Sequence, residues 1–309
     1  MSTPVADQTP SARFLDPKVL IKIQNLELVA RTVVEGFVQG LHRSPYMGFS
    51  VDFAAYRQYM PGDEIRRIDW NVSARMQEIY LKRHFEEREV SVFLVADVSR
   101  SMHFSTAKHS KNLRVMQVGA TLGFSAISDS CKFGILAFSN AIEAYEPPRK
   151  GRGHVWRTID QLYNLAPAGS GTDWELALRF LRSRLRSNSI VFLLSDFITG
   201  PNVTQLADLP DLKVLAQKHD VIPIVFMDQL ESNLPRGRGL LRFRSAESPK
   251  EMLLSLSSHQ RSAFDALVEK RRTDLRNLFY SLGMECLFLN VGEAFMDPLL
   301  TLFERRKKV

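Results

Sequence analysis

The chain has 309 residues, 45% of them apolar and 24% charged, with a formal net charge of +7. That is globular composition, with length for one large domain and an accessory region. Cys131 and Cys286 are the only cysteines, too few for a thiolate metal site and too far apart in sequence to imply a disulfide framework, so a reducing, cytoplasmic setting is expected.

The first residues are polar and Pro-containing and lack the apolar core of a signal peptide, so 1–15 reads as a disordered tail. Residues 16–88 form an N-terminal segment. Its most apolar stretch repeats Val19, Ile23, Leu26, Ala30, Val33, Phe37 and Leu41, the stripe of an amphipathic helix. Lys22, Glu27, Arg31 and Glu35 interrupt that stretch, so no membrane span is expected.

From residue 89 to 309 short apolar runs alternate with helical stretches. Strands are predicted over 92–96, ending at Asp97, and over 133–138, 190–195, 221–227 and 284–290. A short edge strand over 142–145 is expected to stop at Pro147 and Pro148. Pro223 suggests that its strand lies at an edge or is just starting there. Helices are predicted over 112–128, 155–165, 173–185, 203–217 and 295–303, with one or two more over 252–282. A Gly/Arg/Ser-rich insertion at 229–250 reads as a loop or hairpin. Together these elements predict an α/β fold, an open, mostly parallel, doubly wound sheet flanked by helices.

The positive charge gathers at Arg149, Lys150 and Arg152, at Arg236, Arg238, Arg242 and Arg244, and at Arg305, Arg306, Lys307 and Lys308. Phe243 alone interleaves with these runs, not the series of aromatics that a stacking platform requires, so they read as solvated loops and a solvated tail and nucleic acid is not the expected partner. Neither Gly-rich nucleotide fingerprint is present.

Ligands of open parallel sheets bind beyond the carboxyl ends of the strands, where strand order reverses. Three segments are expected to meet there: Asp97-Val98-Ser99-Arg100-Ser101, Gly169-Ser170-Gly171-Thr172-Asp173, and Asp196. They offer carboxylate and hydroxyl oxygens without imidazole or thiolate, which disfavours zinc and copper and suits Mg²⁺, with Mn²⁺ acceptable. Residues of these types also cap helices, which is the plain alternative.

Asp97-x-Ser99-x-Ser101, Thr172 in Gly-Thr-Asp and the strand-end Asp196 resemble the metal-ion-dependent adhesion site of von Willebrand A domains. The resemblance implies a Rossmann-like fold in which Ser99, Ser101 and Thr172 ligate Mg²⁺, Asp97 and Asp196 act largely through bound water, and a partner protein offers an acidic side chain to the ion. The run from Tyr56 to Trp70, with Pro61-Gly62-Asp63, followed by Ser73-Ala74-Arg75, resembles the signature of the DUF58 family. That resemblance implies a MoxR-type AAA+ ATPase as partner. The signature reads either as an ion-pair network or as a partner-contact surface with Arg66, Asp69, Trp70, Arg75 and Arg100 as contact residues, Trp and Arg being common hot spots. The expected function is a Mg-dependent interaction module acting in protein complex assembly or maturation, with no catalytic activity. The alternatives are a metal-dependent phosphoesterase, which lacks an evident general base here, and a basic nucleic-acid-binding protein.

Overall fold

The computed structural model describes residues 55–60, 63, 65, 68–76, 78–83, 90–103, 110–169, 171–185, 189–198, 206, 208–235, 239–244 and 251–308. The proposed tail and the amphipathic helix over 19–41 lie outside the described residues.

The main sheet has six strands: β3 (Ser91–Asp97), β4 (Lys132–Phe138), β5 (Ile142–Arg149), β6 (Ser189–Ser195), β7 (Asp220–Met227) and β10 (Leu287–Asn290), in the order β10-β7-β6-β3-β4-β5. All neighbours are parallel except β5, which returns antiparallel beside β4. Counted by position in the sheet from β5, this is the doubly wound order 3-2-1-4-5-6. The fold is α/β, as its alternating elements predict.

Strand β3 is buried along its whole length, and its alternation divides the core. Val92, Leu94 and Ala96 pack with α3 (Lys111–Ser128), α4 (Arg152–Asn164) and α9 (Met296–Lys308). Phe93 and Val95 point to the other face, toward α5 (Trp174–Arg184), α6 (Pro210–Lys218) and α8 (Ser258–Ser281). A strand covered on both faces favours apolar residues at successive positions, which is why the run from Val92 to Ala96 is continuous.

Some elements differ from expectation. Strand β5 passes through Pro147 and Pro148 to Arg149. It is the outer strand, so a missing N–H there leaves no second ladder broken, and the register with β4 is irregular between Phe133 and Ile135. Strand β7 is interior, yet β10 reaches only Ile224, so Pro223 has a strand partner, Leu193, on one side. Residues predicted as helix from 252 begin instead as β9 (Glu251–Ser255), paired antiparallel with β8 (Leu240–Arg244), which lies in the second half of the expected insertion. A run of five residues is too brief to separate the two periods. Helix α8 then starts at its own cap, where the Ser257 hydroxyl accepts from the Gln260 amide. The basic C-terminal run is not wholly a solvated tail: it continues α9, and Arg306 pairs with the Asp220 carboxylate in a largely buried contact.

Candidate metal centre at the switch point

The chain leaves β3 toward β4 on one side and later reaches β6 on the other. The carboxyl ends of β3 and β6 therefore border the point where strand order reverses, and Asp97 and Asp196 stand there, both buried.

Asp97 is locked at both oxygens. Its Oδ1 accepts from the Ser99 amide at 2.9 Å and its Oδ2 from the Ser195 hydroxyl at 2.6 Å. Ser195 in turn accepts from the Phe197 amide at 2.9 Å. Asp196 Oδ1 accepts from the Ile198 amide at 2.9 Å. The two serines of the first loop face each other, Ser99 Oγ lying 3.1 Å from Ser101 Oγ, and both are buried. Ser101 belongs to the short helix α2 (Arg100–His103).

Thr172, half-buried, is brought to the same edge by its neighbours. The Asp173 amide donates to Ser139 O at 3.0 Å, directly after β4, while the Val98 amide donates to Phe138 O at 2.9 Å. Trp174 stacks on Phe197 with centroids 5.0 Å apart and lies edge-on to Phe138 at 4.7 Å. Loops after β3, before α5 and after β6 thus meet around the end of β4. Phe197 holds a left-handed φ of 53°, costly for a bulky residue, and its ring is clamped between Trp174 and Phe279.

The loop before α5 is fixed by Glu143 at the start of β5. Its carboxylate accepts from the amides of Ala168 at 3.0 Å and Gly169 at 2.9 Å and from the Ser139 hydroxyl. Burial pushes the Glu143 carboxyl up, but these donors prevail and hold it below the ordinary value. A Cβ at Gly169 would stand 2.1 Å from Ser139 Oγ and 3.0 Å from Ser139 Cβ. Ser139 is fully buried and cannot step aside. Gly169→Ala is expected to cost about 1–3 kcal/mol by overpacking and to weaken divalent-ion binding, read by denaturant unfolding and by titration with Mn²⁺.

A cation that was not foreseen sits inside the constellation. Lys111, fully buried at the first turn of α3, donates to Asp196 Oδ2 at 2.9 Å and to Glu231 Oε1 at 2.5 Å. Glu231 belongs to α7 (Gln229–Ser232), where it completes a capping box with Asp228. Arg271 of α8 donates to the Asp196 carbonyl oxygen at 2.9 Å. Burial pulls the Lys111 ammonium down, but the two carboxylates outweigh it and hold the pKa above its ordinary value. Asp97 behaves differently: burial first, then the Asp196 charge, raises it from 3.8 to about 7 despite its hydrogen bonds.

The donor set suits a hard divalent ion. Adjacent oxygens on an octahedron with ligands at 2.1 Å lie about 3.0 Å apart, close to the Ser99–Ser101 spacing. Asp97, raised chiefly by burial and next by the Asp196 charge, also gains in its ionised form from a cation beside it. Among the described residues no group of three or more His, Cys, Asp and Glu side chains could hold a metal ion, so an ion here depends on the hydroxyls. A cavity beside Asp196, lined also by Phe226, Glu231, Arg271 and Phe288, measures about 40 Å³, room for a few waters and far below a typical small-molecule site.

A family model described as "Protein of unknown function DUF58" matches residues 55–274. The chain belongs to the DUF58 family. An uncharacterised protein of Mycobacterium tuberculosis is 27% identical over 296 residues, covering 95% of this chain and 91% of that protein. An uncharacterised protein of Mycobacterium bovis matches to the same extent. Among solved structures, the conserved hypothetical protein BatB from Bacteroides thetaiotaomicron aligns over 71% of this chain and 100% of its own, with a TM-score of 0.41 and 13% identity. A von Willebrand factor type A protein from Catenulispora acidiphila aligns over 74% of this chain and 44% of its own, with a TM-score of 0.38 and 10% identity.

The DUF58 signature folds locally around α1 (Trp70–Met76), set between the paired strands β1 (Ala55–Gln58) and β2 (Tyr80–Arg83). Asp69 caps the helix: its Oδ1 accepts from the amides of Asn71 at 3.1 Å and Val72 at 3.2 Å. Ser73 ties helix to strand, donating to Asp69 O at 2.7 Å and accepting from the Tyr80 amide at 2.9 Å. Asp69 thereby has a structural task beyond the contact role expected of it. Trp70 is 63% exposed, and Arg75 and Arg100 are also exposed. Arg66 lies outside the described residues. Among the described residues no helix is long and apolar enough to cross a membrane.

Proposed function

We propose that this DUF58 protein is a Mg²⁺-dependent protein-interaction module of the von Willebrand A type, an accessory to a MoxR-type AAA+ ATPase in protein complex assembly or maturation. One observation carries the reading: two buried hydroxyls, hydrogen-bonded to each other at 3.1 Å, stand with two buried carboxylates at the topological switch point. Ser99, Ser101 and Thr172 are the ligands in this reading, with Asp97 and Asp196 acting through bound water. Mn²⁺ is an acceptable substitute. The bound ion supplies Lewis acidity toward an incoming carboxylate. The chain's own residues hold that place ready, because Ser195 and the Ser99 amide fix Asp97 and the aromatic contacts of Phe197 fix the turn carrying Asp196. Neutral hydroxyl ligands leave the ion its positive charge for an outside acidic side chain. The ATPase partner rests on the DUF58 resemblance, and exposed Trp70, Arg75 and Arg100 offer it a contact surface.

Calorimetric titration tests the metal. Asp97→Ala is expected to abolish Mg²⁺ binding while circular dichroism stays that of the folded protein; unchanged affinity would remove the site from consideration. Recovery of a MoxR-type ATPase on the immobilised protein is expected to fall in chelator. Equal recovery with and without chelator would separate the metal from partner choice.

A further inference from the structure

We infer that Lys111 is a specificity-determining residue that makes metal retention at this site depend on an acidic partner. The inference rests on the magnesium reading above and names what regulates it.

Lys111 is the first residue of α3, where a cation is disfavoured by the helix dipole, and no acidic residue lies in that first turn. It is nevertheless fully buried, its ammonium divided between Asp196 and Glu231. Arg114, the other cation in the first turn, is spent elsewhere, on Val291 O at 2.6 Å and Gln117 Oε1 at 3.0 Å. A lysine held against both the helix dipole and desolvation fixes a positive charge on one of the two carboxylates a metal would use.

Charge then decides the order of binding. Asp196 and Glu231 face Lys111 and Arg271, and Asp97 stands beside Asp196, so once Asp97 is ionised three carboxylates and two cations leave one net negative charge. A divalent ion turns this into one net positive charge in a largely buried place, where unbalanced charge is costly. One carboxylate from outside restores neutrality. Ion and acidic ligand therefore bind together, and the bare protein releases its ion readily. Lys111 sets this because its ammonium already satisfies the Asp196 oxygen that would otherwise draw the ion unaided.

The test is Mn²⁺ titration of the full chain, bound ion counted by electron paramagnetic resonance, with and without glutarate as the carboxylate probe. Circular dichroism monitors folding. Wild-type protein is expected to bind Mn²⁺ on the order of tenfold more tightly with glutarate than without. Lys111→Met is expected to bind Mn²⁺ alone on the order of tenfold or more tightly than wild type, and to lose most of the glutarate effect. Lys111→Arg keeps the charge and is expected to follow wild type, which separates charge from packing. Glu231→Gln keeps the Lys111–Asp196 pair and serves where Lys111→Met does not fold; its affinity for Mn²⁺ is expected to drop below wild type. Wild-type binding that glutarate leaves unchanged, or an equal affinity in Lys111→Met, overturns the role of Lys111 and leaves the metal site standing. Mn²⁺ binding to none of the proteins, with or without glutarate, overturns both.

Discussion

Asp196→Ala is expected to lower the unfolding free energy of the metal-free protein by about 3 kcal/mol, the low end for removing one partner of a buried ion pair. The Lys111 side chain is 0% exposed and that of Asp196 2% exposed, so water does not replace the lost partner. Glu231, with a side chain 26% exposed, remains in contact and keeps the loss from reaching the upper end of the range. Asp196→Asn separates the contributions. It retains the shape and an acceptor for the Ile198 amide but not the charge, and its loss is expected to approach that of alanine. Denaturant unfolding at neutral pH without divalent ions checks both. A change within about 0.5 kcal/mol, ordinary for surface positions, would show that Lys111 does not depend on Asp196.

The same pair shows why part of the site was not legible from sequence. Asp97, Ser99, Ser101 and Asp196 could be placed because they stand at or within a few residues of the end of a strand buried on both faces, and such strands announce themselves as continuous apolar runs. Lys111 carries no such mark. Its one sequence signal is a lysine immediately after the capping Ser110, at a helix start without acidic residues, which conflicts with the helix dipole and asks for a carboxylate elsewhere. Glu231 hides in a short helix within a segment read as an insertion, although Asp228-x-x-Glu231 has capping-box spacing. Both depend on tertiary contacts across 85 and 120 residues, a separation that local periodicity does not report. The segment holding β8 reads as a loop or hairpin, but the return strand β9 reads as helix for a different reason. Met252, Leu253 and Leu254 adjoin a long helical stretch, and a strand of five residues is too short for its period to stand apart from that of the helix.

Metal-free stability is expected to fall as pH rises from about 4 to about 7, and Asp97→Asn to remove much of that fall. The folded-state pKa of Asp97 is raised from 3.8 to about 7, chiefly by burial and next by the Asp196 charge. Between those values the folded chain holds a proton that the unfolded chain has released. The contribution of Asp97 is therefore complete below about 4 and lost as the pH climbs through 7, with a slope of at most about 1.4 kcal/mol per pH unit for one proton. Asp129, raised to about 7 by burial, adds a slope of the same sign. Asp129→Asn measured alongside apportions the two. Glu143 acts oppositely: its lowered pKa stabilises above its unfolded value and is lost on acidification, which places the optimum on the mildly acid side. Chemical unfolding across this range provides the curve, and a flat profile in wild type would mean that Asp97 ionises freely. A divalent cation at Ser99 and Ser101 needs the ionised carboxylate. Mg²⁺ is thus expected to bind more weakly as pH drops below 7 and, near pH 6, to displace close to one proton. Calorimetry in buffers of different ionisation enthalpy counts that proton. Wild type is expected to show it and Asp129→Asn to show it equally, because Asp129 lies away from the ion, at the far end of α3.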